Sequence, residues 1–117
     1  MRVANSGMPR PIYCHDGHAH MIESAGLPLG MFETVSYEET VIHASRGDLF
    51  VFFSDGIIDA STAKEEQFGR VRMEHVIAKH CSGGAQQIVD ALFQAVEEFS
   101  AGAPVFDDQT VVVLKVK

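Results

Sequence analysis

The residues of this chain with the greatest capacity for chemistry are carboxylates at the ends of apolar runs. Residues 47–60 read GDLFVFFSDGIIDA. Leu49 to Phe53 is an unbroken run rich in β-formers, opened by the turn pair Gly47-Asp48, and it predicts a strand buried on both faces. A buried strand ending in Ser54-Asp55-Gly56 carries the Asp55 carboxylate out of the core at a stiff position. Gly56 then lets the backbone turn sharply, or lets another group approach where a Cβ would clash. A second stretch repeats the design in mirror order: Phe106-Asp107-Asp108-Gln109-Thr110, then Val111-Val112-Val113-Leu114. If the two strands lie side by side, their acidic ends meet. Carboxylates fixed at the ends of rigid strands are the oxygen donors that hard divalent cations take. Taken singly, each acid has a plainer role: Asp55 as a turn former or N-cap, Asp107 and Asp108 as a solvated turn before a strand.

Other reactive side chains are less suggestive. His15, His18 and His20 flank Asp16-Gly17, and His18 and His20 share a face at strand period. Such a pair can chelate a transition metal, but an exposed hairpin tip is the simpler reading. His43, His75 and His80 have no acidic or nucleophilic neighbour at useful spacing and read as surface or partly buried residues. Cys14 and Cys81 lack the CxxC spacing of a zinc site and read as reduced core cysteines rather than a disulfide framework.

At 117 residues and 46% hydrophobic, the composition is that of one globular domain with a single core. The formal charge of −7, with no cluster of Lys and Arg, argues against nucleic-acid binding through phosphates. No run approaches the ~20 apolar residues that cross a bilayer. The first residues, MRVANSGMPRP, lack the apolar core of a signal peptide, so a cytoplasmic protein without a membrane contact is expected.

The elements that must position the acids follow in order. Residues 2–7 read as the tail of a strand entering a turn, and Pro9 and Pro11 keep the chain extended. Residues 12–15 and 18–23 predict two strands joined by Asp16-Gly17, a pair suited to a two-residue hairpin turn with positive φ. Residues 26–30 break regular structure, with two leucines expected to pack on something. Residues 36–43 alternate as a half-buried strand, with Val35, Tyr37 and Val41 on one side and Glu38-Glu39 blurring the register. After residues 63–68, a loop or frayed turn, Met73, Val76, Ile77 and His80 fall at helix spacing over 71–80. Residues 82–84 stop that helix. From 85 to 100, Ile88, Val89, Leu92, Phe93, Val96 and Phe99 form an apolar stripe, ended by Gly102 and Pro104. Residues 110–116 are the closing strand. Strands, then two helices, then a strand make an α+β order.

Taken together and in this order, GDLFVFFSDGIIDA, FGRVRMEHVI and FDDQTVVVLKV, preceded by ANSGMPRPI and GLPLGMF, resemble the second half of a metal-dependent protein phosphatase of the sporulation stage II protein E (SpoIIE) type, within the PPM superfamily. The resemblance runs from Ala4 to Val116. It implies a PPM-type β-sandwich with flanking helices in αββα layers, of which this chain would hold five to six strands and two main helices. It also implies a site with two Mn²⁺ or Mg²⁺ ions. By it, Asp55 and Asp107 are metal ligands, Asp108 a supporting or binding neighbour, and Asp59 a helper for an additional, looser ion, with Ser54 and Gly56 supporting the turn. By the same resemblance the ions would lower the pKa of a bridging water that attacks phosphorus, with no need of a protein nucleophile.

Two departures accompany the matches. The family's first metal motif, an aspartate followed shortly by Gly-His-Gly, has no counterpart, and the usual Ala-Gly-His before the proline pair is Ser6-Gly7-Met8. The expectation is therefore one SpoIIE-type domain over residues 1–117, truncated at its N-terminus and inactive alone. The resemblance implies a phosphoserine/phosphothreonine protein phosphatase acting on a phosphorylated regulatory protein, such as an anti-anti-sigma factor domain in a bacterial partner-switching circuit. The alternative is a non-catalytic binding module or pseudophosphatase that self-associates as a homodimer, covering strand edges left without partners.

Overall fold

The computed structural model describes residues 1–105 and 107–117. Apolar runs and turn signals become β1 (Arg2–Val3), β2 (Ile12–His15), β3 (His18–Met21), β4 (Thr40–Val41), β5 (Leu49–Phe53), α1 (Asp55–Ile58), α2 (Gly69–His80), α3 (Ala85–Ser100) and β6 (Val111–Lys115). The fold is α+β, as the element order predicts. Strands β3-β2-β5-β6 form one antiparallel sheet and β1-β4 a second, smaller one. Asp16 and Gly17 both take positive φ, 49° and 77°, which is the hairpin turn that an Asp-Gly pair favours.

Alternation along β2 and β5 divides the core. Ile12, Cys14, Leu49, Val51 and Phe53 face the helices and pack with Met73, Ile77, Ile88, Leu92 and Val96. Tyr13, Phe50 and Phe52 face the other way, toward Val3, Ile22 and Ile42. β5 is thus buried on both faces, as its unbroken apolar run demands. α3 spans the residues its stripe predicts, and the left-handed Ala101 beside Gly102 ends it.

Among the described residues β6 pairs with β5 alone and lies at a sheet edge. Val112 and Leu114 on its far face remain 51% and 45% exposed, so that face has no cover. Several expectations are corrected by packing. Of residues 36–43 only Thr40–Val41 pairs, in register with Arg2 and Val3. Val41 faces solvent at 56% exposure, because the consecutive glutamates shift the alternation and turn Thr40 and Ile42 inward instead. Leu27 and Leu29 are 45% and 76% exposed and do not seat on the core. Cys14 and Cys81, 67 positions apart, meet in a disulfide with Cα atoms 6.1 Å apart, because α2 lays its last buried position over β2. Phe106, which opens the second acidic stretch, lies outside the described residues. Among the described residues no helix is long and apolar enough to cross a membrane.

Candidate acidic site at the strand ends

β5 and β6 run antiparallel side by side, Phe53 opposite Val111, so the residues after one strand and before the other share an end of the sheet. Ser54 turns that neighbourhood into a latch. Its N–H donates to the Thr110 carbonyl at 3.0 Å. Its hydroxyl donates to the Asp108 carbonyl at 3.0 Å and accepts from the Thr110 N–H at 2.9 Å. The Asp107 carboxylate in turn accepts from the Asp108 N–H at 2.8 Å, which shapes the turn ahead of β6.

Gly56 completes the fit. A Cβ there would lie 2.1 Å from the Asp108 carbonyl oxygen and 3.3 Å from that of Asp107. Only a residue without a side chain lets the 107–108 backbone seat against the first turn of α1. Ser54 is the N-cap of this short helix and Asp55 opens its first turn, where the helix dipole favours a carboxylate. Asp59 follows as the C-cap, its N–H donating to the Asp55 carbonyl at 2.8 Å. A reading of Asp55 as N-cap is therefore shifted by one residue.

Asp55, Asp59, Asp107 and Asp108 are all solvent-exposed. Among the described residues no basic side chain lies within ion-pair distance of any of them. Four uncompensated carboxylates at one end of a sheet create a negative potential that attracts cations. The donor type suits Mn²⁺ or Mg²⁺. The donor number does not complete a site: among the described residues no group of three or more His, Cys, Asp or Glu side chains converges as for a metal ion.

Two of the hairpin histidines lie as expected and one does not. His18 and His20 are exposed on the hairpin, their rings 6.4 Å apart and edge-on. His15 instead joins a polar cluster at the opposite end of β5. Asp48, 3% exposed, accepts from the Tyr13 hydroxyl at 2.8 Å and from the Ser45 N–H at 2.7 Å, and bonds His15 Nδ1 at 2.7 Å. Burial pushes the Asp48 carboxyl up, but the hydrogen bonds from Ser45, His15 and Tyr13 outweigh it and hold the group below its ordinary value. The bond to Asp48 raises His15, and burial with the same carboxylate pushes Tyr13 up to about 12. Sequence reasoning treated Asp48 only as a turn residue. The signal lay in strand pairing: Cys14 opposite Leu49 puts His15 opposite Asp48.

The profile of the family Stage II sporulation protein E (SpoIIE) matches residues 1–117. Phosphoserine phosphatase RsbU of Bacillus subtilis (strain 168) is 29% identical over 103 residues, covering 87% of this chain and 30% of RsbU. The SiaA-PP2C domain of Pseudomonas aeruginosa superposes with a TM-score of 0.81 at 19% identity, over 99% of this chain and 46% of that one. The PP2C phosphatase domain of the cell fate determinant SpoIIE from Bacillus subtilis, solved with a fragment of its regulatory domain, gives 0.74 at 21%, over 98% of this chain and 33% of that one. The structural likenesses establish a shared fold, and this chain spans less than half the length of each relative.

Proposed function

This chain belongs to the Stage II sporulation protein E (SpoIIE) family, and from that premise we propose that it is an acid-bearing half of a Mn²⁺- or Mg²⁺-dependent phosphoserine/phosphothreonine protein phosphatase. The observation that supports this best is the Ser54–Gly56 latch, which holds the Asp107–Asp108 turn against the turn that presents Asp55. Asp55 and Asp107 would hold the ions, with Asp108 beside them and Asp59 toward an outer ion. The bound ions would supply Lewis acidity to the phosphoryl oxygens and a hydroxide at neutral pH. The chain's own part is to keep oxygen donors apart from any neutralising base, on a rigid strand end, with Ser54 and Gly56 fixing the turn. Residues 1–117 act as a single domain unit in this reading and need further chain to finish the site. The substrate class is a phosphoserine-bearing regulatory protein, in keeping with the similarity to a phosphoserine phosphatase.

The test is a calorimetric Mn²⁺ titration of this chain beside its Asp55→Ala/Asp107→Ala double variant. Binding that is lost in the variant supports the reading, and identical titrations overturn the assignment of these acids. In a form carrying the rest of the domain, Asp55→Ala must abolish hydrolysis of a phosphoserine protein.

A second reading is favoured by the open edge of β6 and the exposed Val112 and Leu114: a binding module that self-associates. It requires a dimer in sedimentation that Val112→Thr/Leu114→Thr dissociates, and a monomer at all concentrations refutes it.

A further inference from the structure

At the end of β5 away from the acids, the turn 16–17, the turn 46–47 and the start of the α2–α3 connection enclose a solvent-open cleft of about 230 Å³, lined by Asp16, Arg46 and Ser82 with Cys14 and Cys81. Both cysteines are buried in the sense that protein surrounds them, at 2% and 6% exposure, yet both line this cleft. Their Cα separation of 6.1 Å falls within the range a disulfide spans without backbone movement. Cys14 belongs to β2, and Cys81 is the C-cap of α2.

This end of α2 rests on the core through few side chains. Met73, Ile77 and Cys81 continue one buried face at four-residue intervals, and the Cys81 N–H reaches the Ala78 carbonyl only at 3.5 Å. The following turn is tethered from the other side, where Lys115 Nζ donates to the Gly83 carbonyl at 2.7 Å. A covalent link at Cys81 adds a tether to β2 at the end of α2, beyond the core packing of Met73 and Ile77.

We propose that Cys14 and Cys81 form a thiol–disulfide exchange site, open to low-molecular-weight thiols and disulfides of the glutathione class through this cleft, whose bonding state sets how firmly α2 is held on the sheet. In the reducing direction an incoming thiolate attacks one cysteine sulfur, the Cys14–Cys81 bond breaks, and the other cysteine leaves as a thiolate that takes a proton. A second small thiol then displaces the first as a small disulfide, leaving two cysteine thiols. The reverse reaction consumes the small disulfide as oxidant. The bond closes a loop of 67 positions that contains Asp55 and Asp59, so its formation restricts the unfolded chain strongly.

The test uses the whole 117-residue chain without denaturant. After excess oxidised glutathione, neither cysteine takes up iodoacetamide; after excess dithiothreitol, both do, as read by intact mass. The oxidised form melts about 10 °C above the reduced form, and amide exchange over the last turn of α2 is slower in it. In Cys14→Ala and Cys81→Ala the melting temperature no longer responds to redox state. Thiols that stay alkylatable after oxidised glutathione overturn the proposal. So does a bond that dithiothreitol reaches only in denaturant, or a melting temperature equal in both forms of the unaltered chain.

Discussion

Gly56→Ala strikes the contact on which the acidic site is built. The added methyl would sit 2.1 Å from the Asp108 carbonyl oxygen and 2.8 Å from its carbon. Ordinary contact needs about 3.4 Å, so the 107–108 backbone must retreat by roughly an ångström. The Ser54 hydroxyl bond to that carbonyl, now 3.0 Å, is then out of range. Losing it and straining the Thr110 N–H bond costs about 0.5–1.5 kcal/mol for each bond, and overpacking adds about 1–3 kcal/mol. Alanine recovers about 0.5–1 kcal/mol of helix propensity in α1. The net expectation is a destabilisation of about 3 kcal/mol in urea unfolding, and, on the proposed metal-binding reading, weaker Mn²⁺ binding than the parent. Ser54→Ala alone costs about 1 kcal/mol, since water can reach the partners it leaves. Because both substitutions break the same latch, the double variant should cost less than their sum. A Gly56→Ala chain within 0.5 kcal/mol of the parent, or strict additivity, would refute the geometry.

Two further outcomes follow from the packing and the electrostatics. The raised His15 contributes stability that is present below its ordinary pKa of 6.5 and is lost as pH rises through its folded value. The lowered Asp48 contributes stability present above 3.8 and lost as pH falls through its folded value. Urea midpoints should therefore be highest between those limits and decline from neutral pH upward, and His15→Asn should remove the upper decline; a His15 ring titrating by NMR at or below 6.5 would contradict this. Leu92→Ala, which empties a fully buried position beneath α3, should cost about 2–5 kcal/mol, and a loss under 1 kcal/mol would show that α3 does not pack as described.

Much of the framework is legible because its signals are local. The bounds of α3 follow from a stripe with a 3.6-residue period, stopped where Ala101 and Gly102 take left-handed φ. β5 follows from five consecutive apolar residues, and the hairpin from Asp16-Gly17. Asp55 and the pair Asp107-Asp108 stand out for the same reason, since each borders an unmistakable strand. The strand expected over 36–43 shrank because Glu38-Glu39 break the alternation on which such a reading depends. The leucines at 27 and 29 were misplaced because an apolar residue in a loop carries no information about what lies beside it. Asp48 was passed over because Gly47-Asp48 looks like any turn until β2 is known to pair with β5.

The sequence by itself determined the hairpin, β5, α3, the closing strand, the family and the two acidic stretches, all of which are written in periodicities and motifs a few residues long. Only the tertiary structure decided which backbone Ser54 and Gly56 grip, which carboxylate His15 and Tyr13 share, and that Cys14 meets Cys81. The physical reason is range. These contacts join residues 33 to 67 positions apart, and they exist only after the order of strands in the sheet and the side on which the helices pack have been chosen.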